Sequence, residues 1–174
     1  MISSLGDPFD LIVLTEIWAF NIDFYSQLFD NFKFYYQLPC NSLIGGVGIF
    51  VHSSITSKQI NLTTNHVQEG FYEMLLLELI KNKCTFFVGG FYRHPSFTLS
   101  KFNPKFEELI AKQLHKFTNF DFLFLGDFNA SIEKYDSCSE ITQFLDILIN
   151  YNFIPLISIP TRITYNCSSI LDHI

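Results

Sequence analysis

The stretch Tyr72–Ile80 constrains the fold more than any other. Leu75, Leu77 and Leu79 occupy one parity, and Met74, Leu76 and Ile80 the other. Successive strand side chains point to opposite faces, so a strand of this composition needs apolar cover on both sides. Asn82 and Lys83 then form a turn into a second strand over Thr85–Tyr92, which predicts an antiparallel hairpin. The run Asp121–Asp127 reads the same way, an apolar strand ending abruptly at Gly126-Asp127-Phe128-Asn129. If strand geometry persists to its end, Asp127 and Asn129 project together and Phe128 turns inward. The simpler reading of those four residues is an Asx-rich turn closing a strand.

Around these strands lie shorter ones: Asp10–Glu16, Phe32–Leu38 closed by Pro39, Val47–His52 after a Gly45-Gly46 turn, and an edge strand near Gln59–Leu62. A short helix is expected around Phe24–Phe29. Asn103 with Pro104 predicts a helix start, followed by Phe106, Leu109, Ile110, Leu114 and Phe117 at helical spacing. Ser137 and Glu140 match a capping box ahead of the stripe Ile141, Phe144, Leu145, Leu148 and Ile149. Phe153–Ile159, Ile163–Tyr165 and Ile170–Ile174 are short candidate strands. Doubly apolar strands with two amphipathic helices predict stacked sheets with helices packed outside. The order is not the strict alternation of a parallel α/β fold.

At 174 residues the chain fits one domain with a substantial core. A charged fraction of 16% against 48% hydrophobic residues excludes a disordered chain. The net charge of −6 argues against a generic nucleic-acid coat. It leaves room for an enzyme that meets phosphate through a bound cation. Cys40, Cys84, Cys138 and Cys167 have neither disulfide-framework nor zinc spacing. With no signal-peptide pattern and no apolar run of membrane length, an intracellular protein, nuclear or cytoplasmic, is expected. The sequons at Asn61, Asn129 and Asn166 are read as chance matches.

Several strand ends carry polar groups: Glu16, Tyr92, Asp127 with Asn129, and Asp172. One or two carboxylates suffice for a hard divalent cation that shares its shell with phosphate and water. Metal-assisted phosphodiester cleavage needs such a site together with an aligned nucleophile.

Five motifs follow one another in order: Thr15-Glu16-x-Trp18, Gly45-Gly46-Val47-Gly48-Ile49-Phe50-Val51, Phe91-Tyr92-Arg93-x-Pro95-Ser96, Gly126-Asp127-Phe128-Asn129 and Ser169-x-Leu171-Asp172-His173-Ile174. The series, spanning nearly the whole chain, resembles the endonuclease domain of non-LTR (LINE-type) retrotransposons, in the endonuclease/exonuclease/phosphatase superfamily. That resemblance implies a DNase I-like four-layer α/β/β/α sandwich over residues 1–174, with the site at one edge of the paired sheets. It implies Mg²⁺, or Mn²⁺, as cofactor with Glu16 as its carboxylate. Tyr92 would contact the scissile phosphate and Asp127 would orient or deprotonate the attacking water. Asn129 would hold the phosphate, and Asp172 would orient a catalytic histidine. Thr164 and Arg93 are further candidates for substrate contact. The partner would be target DNA, with a reverse transcriptase on the same polypeptide in full-length relatives.

The chain also departs from the family pattern. Ile2–Leu5 resembles the tail of the family's first helix, so the preceding strand with its metal-supporting asparagine is not found, nor is the final Ser-Asp-His strand. His173 stands beside Asp172 and faces the other way. The expectation is therefore a domain shortened at both ends. The rival readings are an inactive remnant, a binding module, or another phosphodiesterase of the superfamily.

Overall fold

The computed structural model describes all residues except 1–8, 19–21, 40–44, 63–69, 118, 165–166, 171 and 174; for 163, 164, 167, 168, 172 and 173 it describes the backbone alone. The expected helix tail Ile2–Leu5 lies outside the described residues. Three strands form a small sheet, β1 (Leu11–Thr15), β2 (Phe32–Gln37) and β3 (Val47–His52), in the order β1-β3-β2 with antiparallel pairing throughout. A larger sheet has the order β10-β7-β6-β5-β4, where β4 is Thr56–Ile60, β5 Tyr72–Lys81, β6 Cys84–Arg93, β7 Asp121–Asp127 and β10 Asp172–His173. Only the β6–β7 pair is parallel. A two-stranded ribbon joins β8 (Arg162–Thr164) to β9 (Cys167–Ser169).

The predicted hairpin is present, its turn made by Asn82 and Lys83 at φ 52° and 69°. The doubly apolar β5 is covered as its sequence requires. Leu75, Leu77 and Leu79 meet Val47, Ile49 and Val51 of the small sheet and Val88 of β6 in an aliphatic core between the sheets. Tyr72, Met74 and Leu76 face the other way, into an aromatic core under helices α2 (Leu99–Leu109) and α3 (Ser139–Asn150). Phe91 and Phe128 stack there with centroids 4.5 Å apart and planes 6° from parallel. On the outer face of the small sheet, Tyr25 of the short helix α1 (Ile22–Ser26) lies 6.0 Å from Phe34, and Phe29 meets Phe50 edge-on. The layers are therefore helix, sheet, sheet, helices.

Three local expectations are corrected. The helix predicted from Asn103 begins at Leu99, with Thr98 as its N-cap, leaving Pro104 inside it. Asn103 is buried and cross-links the helices, donating to the Glu140 carbonyl at 2.9 Å and to Gln143 Oε1 at 3.1 Å. Ser137 does not close a capping box. Its hydroxyl donates to the Lys134 carbonyl, and α3 starts two residues later behind Cys138. Phe153–Ile159 is irregular, exposing Ile154, Leu156 and Ile159. No described helix is long and apolar enough to cross a membrane.

Candidate active site

β1 ends because the chain leaves extended geometry. Glu16 and Trp18 take φ values of 57° and 44°, a left-handed conformation that costs free energy outside glycine. The pairing with β3 nevertheless continues. The Glu16 amide donates to the Gly46 carbonyl at 2.9 Å and the Trp18 amide to the Gly45 carbonyl at 3.1 Å. Gly45 and Gly46, at φ 119° and 91°, are thus more than a turn: they fix the backbone that presents the Glu16 carboxylate. A Cβ on Gly45 would meet Glu73 Oε2 at 3.3 Å and Tyr92 Cε1 at 3.4 Å.

The large sheet lines up the rest. Glu73 on β5, Tyr92 on β6, Asp127 on β7 and Asp172 on β10 are register partners in one row across four strands. Tyr92 packs in the aliphatic core, 1% exposed, and its Oη donates to Glu16 Oε1 at 2.8 Å. This hydrogen bond spans the two sheets. Burial, the bond to Glu16, and the charges of Glu16, Asp127 and Glu73 all raise the phenol pKa, so Tyr92 remains a proton donor across physiological pH.

Glu73 belongs to no motif noted in the sequence. It is 4% exposed, and burial raises its pKa from 4.5 to about 7 against the lowering effect of backbone hydrogen bonds at Gly46 and at its own amide. Its Oε2 has no hydrogen-bond partner among the described residues. The available signal was parity: Glu73 shares the inward face of β5 with Leu75, Leu77 and Leu79.

Asp127 and Asn129 are brought together, though not by strand alternation. Gly126 at φ 141° lies so close under β6 that a Cβ would fall 2.0 Å from the Phe91 carbonyl oxygen. β7 stops at Asp127, whose Oδ1 accepts the Asn129 amide at 2.7 Å, the Asx turn of the simpler reading. Asn129 is left-handed at φ 49° and donates its Nδ2 to the Arg93 carbonyl at 2.7 Å.

Arg93 answers in kind. Its Nε donates to the Phe128 carbonyl and its Nη2 to the Asn129 carbonyl, both at 2.5 Å, while Nη1 bonds the Phe97 carbonyl. The guanidinium is 4% exposed and lies 5.6 Å from the Phe102 ring. Three of its five N–H groups thus point to internal carbonyls. Burial turned this side chain toward orphan carbonyls at the β6 and β7 ends, a use that sequence alone does not separate from a rim cation. Thr164 lies on the ribbon, paired through its backbone with Cys167. The side chains of Thr164 and Asp172 lie outside the described atoms.

The donor set suits a hard cation. Glu16 offers an exposed carboxylate, while Glu73 and Asp127 add acidic groups close enough to perturb Tyr92. No three acidic, histidine or cysteine side chains converge as a metal cage among the described residues. A divalent ion here would take one or two carboxylates and complete its shell with phosphate and water, as Mg²⁺ prefers.

No family model and no curated protein sequence matches the chain. Solved structures do. The endonuclease domain of TRAS1, a telomere-specific non-LTR retrotransposon, is similar at a TM-score of 0.68 and 15% identity, over 94% of this chain and 70% of that one. The human Nocturnin catalytic domain with bound sulfate has a TM-score of 0.63 at 15% identity, over 94% and 67%. D. rerio TDP2 in complex with a single-stranded DNA product has 0.57 at 11%, over 94% and 69%. At such identities the likeness is one of fold. The chain has the DNase I-like fold shared by a retrotransposon endonuclease domain, TDP2 and Nocturnin, as its ordered motifs implied.

Proposed function

We propose that the chain is a divalent-cation-dependent DNA phosphodiesterase domain of the kind that nicks target DNA for a non-LTR retrotransposon. The observation that carries this reading is the cross-sheet cluster: Glu16 held by Tyr92, with Asp127 in register beside it, at the rim of a DNase I-like sandwich. Bound at Glu16, Mg²⁺ or Mn²⁺ would supply charge to the phosphate oxygens. Tyr92, kept protonated, fixes the Glu16 carboxylate through its one hydroxyl proton. Asp127 accepts a proton from, or orients, the attacking water. Asn129, held by its bond to Arg93, sets the Asp127 carboxylate through its own amide. In a longer polypeptide a reverse transcriptase would use the nicked strand.

A second reading, DNA binding without cleavage, draws on the histidines. His52 and His94 each bond a serine two residues on, at 2.7 Å, and no described histidine side chain bonds the cluster. Incubation of supercoiled plasmid with the chain and Mg²⁺ separates the two. The nuclease reading expects open-circular product, and a rate reduced by about 10²–10⁴ in Asp127→Ala. Retained binding with no nicking supports the second reading.

A further inference from the structure

Glu73 is an expensive residue for its position. The next three inward positions of β5 are leucines exposed by 0–1%, and a leucine at 73 would continue that row. A buried carboxyl with one oxygen unbonded costs free energy that an apolar side chain does not. Its justification must lie in what it touches.

Both carboxyl oxygens face the place a Gly45 Cβ would fill, at 3.3 and 3.4 Å, next to the Tyr92 ring. The Gly46 backbone donates to the same carboxyl. In turn the Gly46 and Gly45 carbonyls hold the amides of Glu16 and Trp18, and Tyr92 holds the Glu16 side chain. Glu16 is thus supported at backbone and carboxylate by two groups that both rest against Glu73. We propose that Glu73 is a positioning residue of the site, a strut from the large sheet that fixes the Gly45–Gly46 segment and thereby the pose of Glu16. This assignment rests on the phosphodiesterase reading for its consequence, but the contact itself is testable without it.

Trp18 is the chain's single tryptophan, 37% exposed, and its backbone amide is bonded to the Gly45 carbonyl. Its surroundings follow the Gly45–Gly46 segment through that bond. In the full chain, Glu73→Met keeps the volume and removes the acceptor, whereas Glu73→Gln keeps an acceptor for the Gly46 amide. The Met variant is expected to shift Trp18 emission to the red and raise its quenching by acrylamide. It is also expected to lower kcat for Mg²⁺-dependent nicking about tenfold or more, with KM for DNA unchanged. The Gln variant restores both readouts. Wild-type emission and quenching in the Met variant would overturn the proposal, as would failure of glutamine to restore them. Should the wild-type chain not nick DNA, the phosphodiesterase reading fails while the Trp18 measurement still decides the strut. If the Met variant does not fold, Glu73→Leu replaces it in the same comparison.

Discussion

Arg93 and Glu73 are both ionisable, both 4% exposed and one residue out of register on neighbouring strands, yet the fold treats them oppositely. Arg93 is saturated. Three backbone carbonyls take its protons, Asn129 bonds back to its carbonyl, and Asp127 closes the ring through the Asn129 amide. Glu73 keeps an oxygen without a partner among the described residues and carries a pKa displaced upward by burial. A buried charge that the protein satisfies acts as a fastening. One left partly open costs stability and is kept for the site it supports. The two halves of the site therefore differ in kind, with a hydrogen-bonded Asp127–Asn129 side and a partly open Glu16–Tyr92–Glu73 side.

The largest expected effect breaks the fastening. Arg93→Met leaves three carbonyls without their donor and should lower stability by about 3–5 kcal/mol, read as a fall in the urea midpoint at unchanged slope. A loss no larger than a surface substitution gives would make the two charges alike. A smaller effect tests the open side through pH. Glu73 holds its proton up to about 7 in the folded chain but releases it near 4.5 when unfolded. The unfolded state thus binds fewer protons between those values, and stability falls as pH rises through that window. The full loss is about 3 kcal/mol. Unfolding in urea from pH 4 to 8 in EDTA should show that decline, and Glu73→Gln should flatten it. An unchanged slope in the Gln variant would place the titration elsewhere and remove the contrast with Arg93.

Much of the framework was legible because its signals are local. The two parities of Tyr72–Ile80 demanded two covered faces, and Asn82-Lys83 dictated the hairpin. The strand end at Gly126–Asn129 was legible too, and there a Cβ on Gly126 would fall 2.0 Å from the Phe91 carbonyl oxygen. What escaped depends on partners distant in sequence. Asn103 looked like a cap, but its amide is drawn into the α2–α3 contact 37 residues away. The apolar run Phe153–Ile159 suits a strand, but no described strand pairs with it. Glu73 belongs to no sequence motif, and it is the strand register that sets it beside Tyr92. Arg93 resembled a rim cation until the loop carbonyls of Phe97, Phe128 and Asn129 closed on it.

In the proposed phosphodiesterase, Glu16 is the carboxylate that receives the divalent cation. The direct test is the Mg²⁺ dependence of plasmid nicking by wild type and by Glu16→Ala, with EDTA as the zero point. No cleavage is expected in EDTA, and the Mg²⁺ requirement is expected to rise about tenfold or more in the variant. Cleavage that persists in EDTA, or one Mg²⁺ curve shared by both proteins, would contradict it.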